Sequence, residues 1–267
     1  MARHTVRDPL SLLHLRTKKH YGWNHDIPDE RDHIYSAPLD RYAQGVPPKV
    51  DLRQYCPPVY DQGQLGSCTA NAVAAALEFD REKQKLSDFA PSRLFIYYNE
   101  RALEGTTGSD SGAQIRDGIK SVATVGACPE TDWPYQPSQF AVQPPAACYA
   151  DAKPDRALQY QRINQNLTQM QACLASGFPF VFGFTVYQSF ESPAVATSGI
   201  MPMPAPGEQV LGGHAVMAVG YDNSTRSLIV RNSWGPGWGQ AGYFMMPFEY
   251  VMHPHYTSDF WTIRSIG

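Results

Sequence analysis

Apolar residues in the first half of the chain recur at intervals of three and four positions. Within residues 69–83 this stripe includes Ala70, Val73 and Leu77, a spacing that predicts a helix. Ser67 stands just ahead of this helix and is a suitable N-cap. The same type of spacing predicts further helices over residues 91–104, 113–125 and 170–176.

The second half instead contains short apolar runs that are separated by turn-forming residues. The densest run, residues 178–186, is typical of a buried strand. Turn residues 222–226 lie between the runs 214–221 and 227–233, which predicts a hairpin. Two more strands are predicted over residues 242–247 and 259–264. Helices followed by strands indicate an α+β protein with two lobes and a cleft between them.

Residues 1–46 differ in composition from the rest of the chain. The first 20 residues carry five basic side chains and one acidic one, although the formal net charge of the whole chain is −3. Charged and proline residues favour an extended path here, and Trp23, Ile27 and Tyr35 supply apolar anchors. We therefore expect residues 1–46 to be a segment that docks on a main domain formed by residues 47–267.

Composition restricts the range of partners. With 43% hydrophobic residues, the 267-residue chain is able to bury a large core. The weak net charge argues against a nucleic acid partner, and no apolar run reaches transmembrane length, which argues against a membrane partner. The apolar stretch at residues 10–15 is too short for a signal peptide. The sequence is therefore compatible with a cytoplasmic location or with export by a non-classical route.

Cys68 has the local setting of a reactive thiol. It follows the glycine-spaced sequence Gln62-Gly-Gln-Leu-Gly-Ser67 and directly precedes the first predicted helix. A thiol at the start of a helix lies near the positive end of the helix dipole and near unpaired backbone N–H groups. Both favour the thiolate, which is the nucleophilic form. The alternative is that Cys68 is a small buried apolar residue.

His214 opens the first strand of the predicted hairpin. If residues 222 and 226 pair across the turn, His214 faces Trp234 and lies diagonally from Asn232 on the same face. The Asn232 amide would accept a hydrogen bond from one ring nitrogen and leave the other for a thiol, and Trp234 would shield that bond from water. A single strand histidine is more often structural, and Asn232 alone could be a turn former. Together with a reactive thiol, they predict catalysis.

Three segments that contain these residues carry a family signature. They are Asp61-Gln-Gly-Gln-Leu-Gly-Ser-Cys68, Gly212-Gly-His-Ala-Val-Met-Ala-Val-Gly-Tyr221 and Arg231-Asn-Ser-Trp-Gly-Pro-Gly-Trp-Gly239. They resemble the papain-like cysteine peptidases (clan CA), and most of all the bacterial branch with short N-terminal segments. The resemblance covers roughly residues 47–264. It implies a papain-like fold with a helical left lobe (roughly residues 60–150), an antiparallel β-barrel-like right lobe (roughly residues 151–267) and the active-site cleft between them.

The resemblance implies a cysteine endopeptidase that hydrolyses polypeptide substrates. Cys68 and His214 would form a thiolate–imidazolium pair, and Asn232 would orient His214. The side-chain amide of Gln62 and the backbone N–H of Cys68 would form the oxyanion hole. We expect neither a cofactor nor a metal, and we expect the protein to be a monomer.

The resemblance also implies a set of substrate-binding residues. Ser111 and Gly112 match the segment on which an extended substrate pairs its backbone, and glycine permits a close approach. Ser258 matches the floor of the S2 pocket, which binds the P2 side chain, although an ordinary surface serine is an equal alternative. Gly213 would leave the wall of this pocket open, and Trp234 would cover the catalytic histidine. We therefore expect bulky apolar P2 residues, with Asp259 as a candidate for admitting a basic one.

Three positions depart from the family pattern. Leu65 replaces the first cysteine of the signature, so the disulfide that usually fastens this loop is expected to be absent. Thr69 replaces an aromatic residue, and Gly213 replaces an acidic one. Besides the reactive thiol, the other cysteines (56, 128, 148 and 173) allow three full pairings. The sequence does not choose among them, although Cys128 and Cys148 could join across a proline-rich stretch.

In the resembled family, N-terminal segments run through the cleft and block it until they are removed. We therefore expect a self-inhibited precursor, a zymogen, in which residues 1–46 act as an intramolecular inhibitor and are cut off near residues 45–48. Two alternatives stay open: a catalytically silent binding protein with this fold, and another Cys–His acyl-transfer enzyme such as an amidase or a deubiquitinase. Five N-terminal histidines could form a metal site, but their irregular spacing argues against it.

Overall fold

The structure, a computed structural model, describes residues 21–38, 42, 45–87 and 89–267. The helices of this part are α1 Cys68–Lys83, α2 Arg93–Glu104, α3 Ile115–Val125, α4 Ala146–Ala152, α5 Leu167–Ala175, α6 Pro193–Ser198 and α7 Phe248–Val251. The strands are β1 Trp23–Asn24, β2 Lys49–Asp51, β3 Ala113–Gln114, β4 Ala157–Arg162, β5 Phe180–Tyr187, β6 Val210–Asp222, β7 Ser227–Arg231, β8 Tyr243–Pro247 and β9 Thr257–Ile266. Helices α1 to α3 build one lobe and the large sheet builds the other, which is the expected α+β arrangement.

The larger sheet contains seven strands and is antiparallel throughout. Its order is β4-β9-β5-β6-β7-β8, and β2 pairs with the end of β6. Within the described residues β4 and β8 form the two edges and do not pair with each other. The right lobe is therefore an open antiparallel sheet, which corrects the expectation of a barrel-like closure.

Helix α1 lies at the centre of the molecule. Residues 68–81 are all buried, and many of them are alanines. Small side chains allow close packing on every face, so α2, α3, β6 and β9 all contact this helix. Since α1 begins at Cys68, its positive end meets the sheet lobe at β6.

Most of these elements lie within a few residues of the positions that the sequence predicts. The sequence did not predict the strands β1 to β4 or the short helices α4, α6 and α7. β4 (Ala157–Arg162) is rich in polar residues and has no apolar run, and it forms because its backbone pairs with β9. None of the described helices is long and apolar enough to cross a membrane.

Residues 21–38, which make up most of the described part of the N-terminal segment, follow an extended path over the body. The short strand β1 pairs in parallel with β3. Of the expected anchors, Trp23 and Tyr35 are buried, but Ile27 is 69% exposed and does not anchor the segment. The basic residues 1–20 lie outside the described part of the chain.

Candidate active site

Cys68 is the first residue of α1, as the sequence predicts. Its side chain is fully buried, and the backbone at Ala215, the residue after the candidate histidine, hydrogen bonds to its thiol. Ser67 occupies the N-cap position but makes no capping bond with its side chain, which corrects the expected cap. The preceding loop is held instead by Gly66, whose N–H donates to the Asp110 carboxylate at 3.1 Å.

His214 is oriented by an amide oxygen. Its Nε2 lies 2.8 Å from Oδ1 of Asn232, and the backbone N–H of Ser233 donates to the same oxygen at 2.8 Å. Because an amide oxygen accepts, Nε2 carries a hydrogen, and Nδ1 is the nitrogen that gains or loses the second proton. The indole of Trp234 stacks on the imidazole with a centroid distance of 5.0 Å and an interplanar angle of 24°. These side chains are all buried, so water is kept away from the bond.

The register of the hairpin differs from the predicted one at the turn. Asp222 pairs with Ser227, one residue beyond the partner that the sequence suggested. A bulge further along the hairpin removes this offset. His214 therefore still lies beside Trp234, as the sequence predicts, although the observed turn is one residue longer than the predicted one.

Gln62 is held from several directions. Its Nε2 donates to the Leu65 carbonyl at 3.0 Å, and its Oε1 accepts from the Ser233 hydroxyl at 2.5 Å. Its backbone N–H donates to the Ser233 carbonyl at 2.9 Å, and its carbonyl accepts from the Tyr135 hydroxyl at 3.0 Å. A primary amide has two N–H groups, so one remains as a donor besides the bond to Leu65.

The thiol of Cys68 is neutral in this arrangement. Burial raises its pKa to about 12, while hydrogen bonding from the backbone at Ala215, Gly22 and Thr69 acts in the opposite direction. The expected lowering of the pKa by the helix terminus is therefore outweighed by the loss of water. Part of this burial comes from the N-terminal segment, because Gly22 lies on the thiol.

The N-terminal segment crosses the cleft at two closely packed glycines. A Cβ atom on Gly22 would overlap the backbone of Gly66, and a Cβ atom on Gly112 would overlap the backbone of Gly22. Gly112 also has a φ of +68°, which favours glycine. Ser111 contributes its carbonyl, which accepts from the Asn24 side chain at 3.2 Å. Gly112 and Ser111 thus contact the chain's own segment.

Trp23 fills a recess between two strands of the sheet. Its indole lies against Gly183 of β5 and Gly213 of β6, and a Cβ atom on either glycine would overlap Trp23. The following His25 bonds through Nδ1 to the Ser258 hydroxyl at 3.0 Å. Gly213 and Ser258, which the sequence assigns to one pocket, therefore contact neighbouring residues of the same segment.

Asp26 fastens the segment to both lobes. Its Oδ1 accepts from the Arg116 N–H in α3 at 3.1 Å, and its Oδ2 accepts from the Trp261 indole in β9 at 2.8 Å. Its backbone N–H donates to the Asp259 carboxylate at 2.9 Å, which also pairs with Arg162 at 2.9 Å. Burial, followed by the charge of Asp259, raises the pKa of Asp26 to about 6. Since Arg162 engages Asp259, this carboxylate is not placed to admit a basic P2 side chain.

Sequence reasoning missed three residues of this site. They are Asp110, Tyr135 and Gly183, which contact the loop before Cys68, the Gln62 backbone and the N-terminal segment respectively. Gly183 interrupts an apolar strand, which is a usual sign of close approach by another group. No local signal marks Tyr135, because its partners lie 68 and 73 positions away.

All five cysteines of the chain are free thiols. Cys128 and Cys148 lie in hydrogen-bond contact, but no disulfide joins them. Within the described residues, no group of three or more His, Cys, Asp or Glu side chains could hold a metal ion. The sequence argues against a metal site formed by five N-terminal histidines. Three of these histidines (4, 14 and 20) lie outside the described residues.

Sequence comparisons identify a family and several relatives. A family model described as papain family cysteine protease matches residues 46–253. An uncharacterized peptidase C1-like protein of Acanthamoeba polyphaga mimivirus is 42% identical over 272 residues, which cover 93% of this chain and 88% of the relative. Cysteine proteinase 3 of Entamoeba histolytica is 27% identical over 233 residues, covering 85% of this chain and 70% of the relative.

Solved structures show the same fold. The crystal structure of xylellain, a cysteine protease from Xylella fastidiosa, is similar with a TM-score of 0.88 at 44% identity, covering 94% of this chain and 98% of that one. The structure of proCathepsin B S9 from Trypanosoma congolense has a TM-score of 0.71 at 19% identity, covering 87% of this chain and 82% of that one. At that identity, the second likeness supports the fold alone.

Proposed function

The chain belongs to the papain family of cysteine proteases, and from this premise we propose that Cys68 is its nucleophile and His214 its general base. The observation that carries the proposal is the 2.8 Å bond from His214 to Asn232, in a buried site beside the N-terminus of α1. Its polypeptide substrates follow from the family. We also propose that the protein is a monomer.

The proposed reaction has two steps at the thiol. Nδ1 of His214 takes the proton of the Cys68 thiol as the sulfur attacks the scissile carbonyl carbon. The C–N bond then breaks as this Nδ1–H protonates the leaving amine. The acyl half of the substrate is now a thioester of Cys68. Water, deprotonated by Nδ1, then adds to the thioester and releases the carboxylic acid, which restores the thiol. The Nε2–H of Gln62 and the N–H of Cys68 hold the oxyanion, and one such donor is typically worth about 3 kcal/mol of barrier.

The proposed substrate groove is the path now taken by the N-terminal segment. The substrate backbone pairs at Ser111 and Gly112, where glycine allows close approach. The P2 side chain enters the recess beside Gly213 and Ser258. The seat of the Trp23 indole in this recess supports a preference for bulky aromatic P2 residues.

The N-terminal segment acts as an intramolecular inhibitor of this cleft. In support, Gly22 lies on the nucleophilic thiol and Trp23 fills the P2 recess. Activation then requires that residues 1–46 leave the domain formed by residues 47–267. Gly45 and Pro47 are exposed, which supports cleavage near residues 45–48.

The first test is intact-mass labelling with a peptidyl epoxide that alkylates active-site thiols. Replacing a buried tryptophan by alanine typically costs about 3–5 kcal/mol, so full-length Trp23→Ala should release the segment from the cleft. We expect labelling at Cys68 to be at least about tenfold faster in Trp23→Ala than in the unmodified chain. Ile27→Ala is the control, because Ile27 is an exposed residue of the same segment and should leave the rate unchanged.

Two outcomes would contradict parts of the proposal. Full peptidase activity in purified Cys68→Ala would disprove the assignment of the nucleophile. Equally rapid labelling of the unmodified chain and Trp23→Ala would retain the peptidase and disprove self-inhibition.

A further inference from the structure

Tyr135 takes no part in the proposed chemistry, yet its hydroxyl lies between the two stretches of chain that supply the oxyanion donors. This hydroxyl lies 2.5 Å from the Ser67 hydroxyl and donates to the Gln62 carbonyl at 3.0 Å. Ser67 directly precedes Cys68, whose N–H is one donor, and Gln62 carries the other. One phenol group therefore joins the Ser67 side chain to the Gln62 backbone, and both proposed donors depend on these two residues.

The direction of each hydrogen bond follows from the number of hydrogens. The Tyr135 hydroxyl has one hydrogen and donates it to the Gln62 carbonyl, so the Ser67 hydroxyl must be the donor at the 2.5 Å contact. The Ser67 oxygen in turn accepts from Nδ2 of Asn71 at 3.0 Å. A directed chain of hydrogen bonds runs from Asn71 to Gln62, and removing the phenol hydroxyl breaks it in the middle.

The same chain of bonds sets the backbone at the nucleophile. The Ser67 carbonyl accepts from the N–H of Asn71 at 3.0 Å and from its Nδ2 at 2.8 Å. A trans peptide is planar, with its C=O and N–H on opposite sides. The Cys68 N–H therefore points away from Asn71, and the groups that hold Ser67 also aim this donor.

We propose that Tyr135 is a positioning residue that holds Gln62 and Ser67 at the separation at which the two oxyanion donors converge. It acts through these two residues and does not touch the substrate. The inference rests on the proposed function, because it requires that Gln62 and the Cys68 N–H bind the oxyanion.

Packing keeps the Tyr135 ring in place independently of its hydroxyl. The guanidinium of Arg93 lies 4.1 Å from the ring centroid, and Arg93 also bonds to Glu130 at 2.8 Å. Burial raises the pKa of Tyr135 to about 12, so the hydroxyl keeps its hydrogen at neutral pH. Tyr135→Phe therefore removes the hydroxyl and retains the ring contact.

The test compares reactions that do and do not form an oxyanion. Variants are made in the full-length chain, with and without Trp23→Ala. We expect Tyr135→Phe to lower kcat for a peptide substrate about tenfold and to weaken inhibition by a peptide aldehyde by a similar factor, because the aldehyde forms a tetrahedral oxygen on Cys68. KM and the rate of Cys68 alkylation by iodoacetamide should change by less than about twofold, since that substitution forms no oxyanion.

The chain offers a matched control in the same lobe. Tyr149 is half-buried, and its hydroxyl donates to Asn99 at 3.1 Å, away from the cleft. Tyr149→Phe removes the same group and should leave kcat and aldehyde affinity unchanged. Ser67→Ala breaks the hydrogen-bond chain from the other side, so adding Tyr135→Phe to it should lower kcat little further. If Tyr135→Phe does not fold, Ser67→Ala replaces it in the test. The same fall in kcat and aldehyde affinity is then expected, and unchanged values would contradict the inference.

Three results would overturn the inference. Unchanged kcat and aldehyde affinity in Tyr135→Phe, in an active parent, would disprove the positioning role. An alkylation rate that falls as much as kcat would also disprove it, because the damage would then lie at the thiol. Failure of the unmodified chain and of Trp23→Ala to react at Cys68 would disprove the proposed function itself, and with it the role of Tyr135.

Discussion

Burial is the main influence on the ionisable side chains of α1. It raises the pKa of Cys68 to about 12 although the thiol lies at the positive end of the helix. Further along the helix, burial raises the pKa of Asp80 to about 7, although Lys83 and Arg264 act in the opposite direction. The Oδ2 atom of Asp80 has no hydrogen-bond partner within the described part of the chain. A charge at this position is therefore poorly solvated.

Asp80→Asn should stabilise the protein at alkaline pH. A carboxyl whose pKa is raised on folding contributes stability that is complete below about pH 4 and is lost as the pH rises through about 7. Relative to the unmodified chain, the free energy of unfolding of Asp80→Asn should therefore be higher at pH 8 than at pH 4, by on the order of 4 kcal/mol. Urea unfolding at the two pH values measures this difference. The exposed Asp151→Asn is the control, and an Asp80→Asn effect independent of pH would contradict the prediction.

At the level of elements, glycines in two neighbouring strands create the recess of the cleft. Gly183 and Gly213 both face the Trp23 indole, whereas most other positions of β5 carry large apolar side chains. Glycine weakens a strand, because it has no side chain to pack. The two strands therefore lack side-chain packing at this point, and the resulting recess is large enough for an aromatic ring.

Gly183→Val should both open the cleft and narrow the recess. A Cβ atom here overlaps the Trp23 indole, while a β-branched residue suits a buried strand. Labelling of Cys68 in the full-length chain should be at least about tenfold faster. The preference for Phe over Ala at P2, measured as a ratio of kcat/KM values, should fall by about tenfold.

Gly108→Ala is the control for this variant, because nothing lies within 4 Å of a Cβ atom at Gly108. It should change neither the labelling rate nor the P2 preference. If Gly183→Val keeps the P2 preference of the unmodified enzyme, the recess is not the S2 pocket.

At the level of the whole molecule, the N-terminal segment braces the two lobes against each other. Asp26 bonds to Arg116 of the helical lobe and to Trp261 of the sheet lobe. Asp32 extends this junction by bonding to Arg116 at 3.1 Å and to Arg162 at 3.2 Å. Release of the segment therefore breaks bonds to both lobes at once, and the charges of this junction make release depend on pH.

The segment should be held more tightly in acid. The groups that face Asp26 are Asp259, Arg116 and Arg162, and the balance of burial and charge raises its pKa from 3.8 to about 6. The contribution of Asp26 to docking is therefore complete below about pH 4 and is lost as the pH rises through about 6. Labelling of Cys68 in the full-length chain should accelerate between pH 4 and pH 6.5 by on the order of tenfold more than in Asp26→Asn.

The intrinsic pH dependence of the thiol must be separated from this effect. Trp23→Ala, in which the segment is expected to leave the cleft, supplies that reference curve. The labelling rate of each protein is divided by the rate of Trp23→Ala at the same pH. If the divided rate rises with pH as steeply in Asp26→Asn as in the unmodified chain, a group other than Asp26 controls docking.

The positions of the proposed catalytic side chains follow to a large extent from the local sequence pattern. A helix that starts at Cys68 is encoded by adjacent residues, and the contact of His214 with Asn232 is set by a hairpin with a short turn. Such geometry depends on neighbours in the chain, so spacing alone predicts it. Even in this hairpin the predicted turn was one residue too short. The extra residue of the turn is offset by a bulge further along the hairpin, and this bulge has no clear local signal.

Other features follow only from contacts between distant parts of the chain. The sequence by itself determined the four longest helices, five strands of the large sheet, the position of Cys68 at the start of α1 and the histidine–asparagine pair, because each depends on residues that are near in sequence. The tertiary structure alone decided that the sheet stays open, that Tyr135 joins Ser67 to Gln62 and that Trp23 fills the recess. It also decided that the Cys68 thiol is neutral under the segment, because a pKa sums the burial and charge of every group that surrounds it.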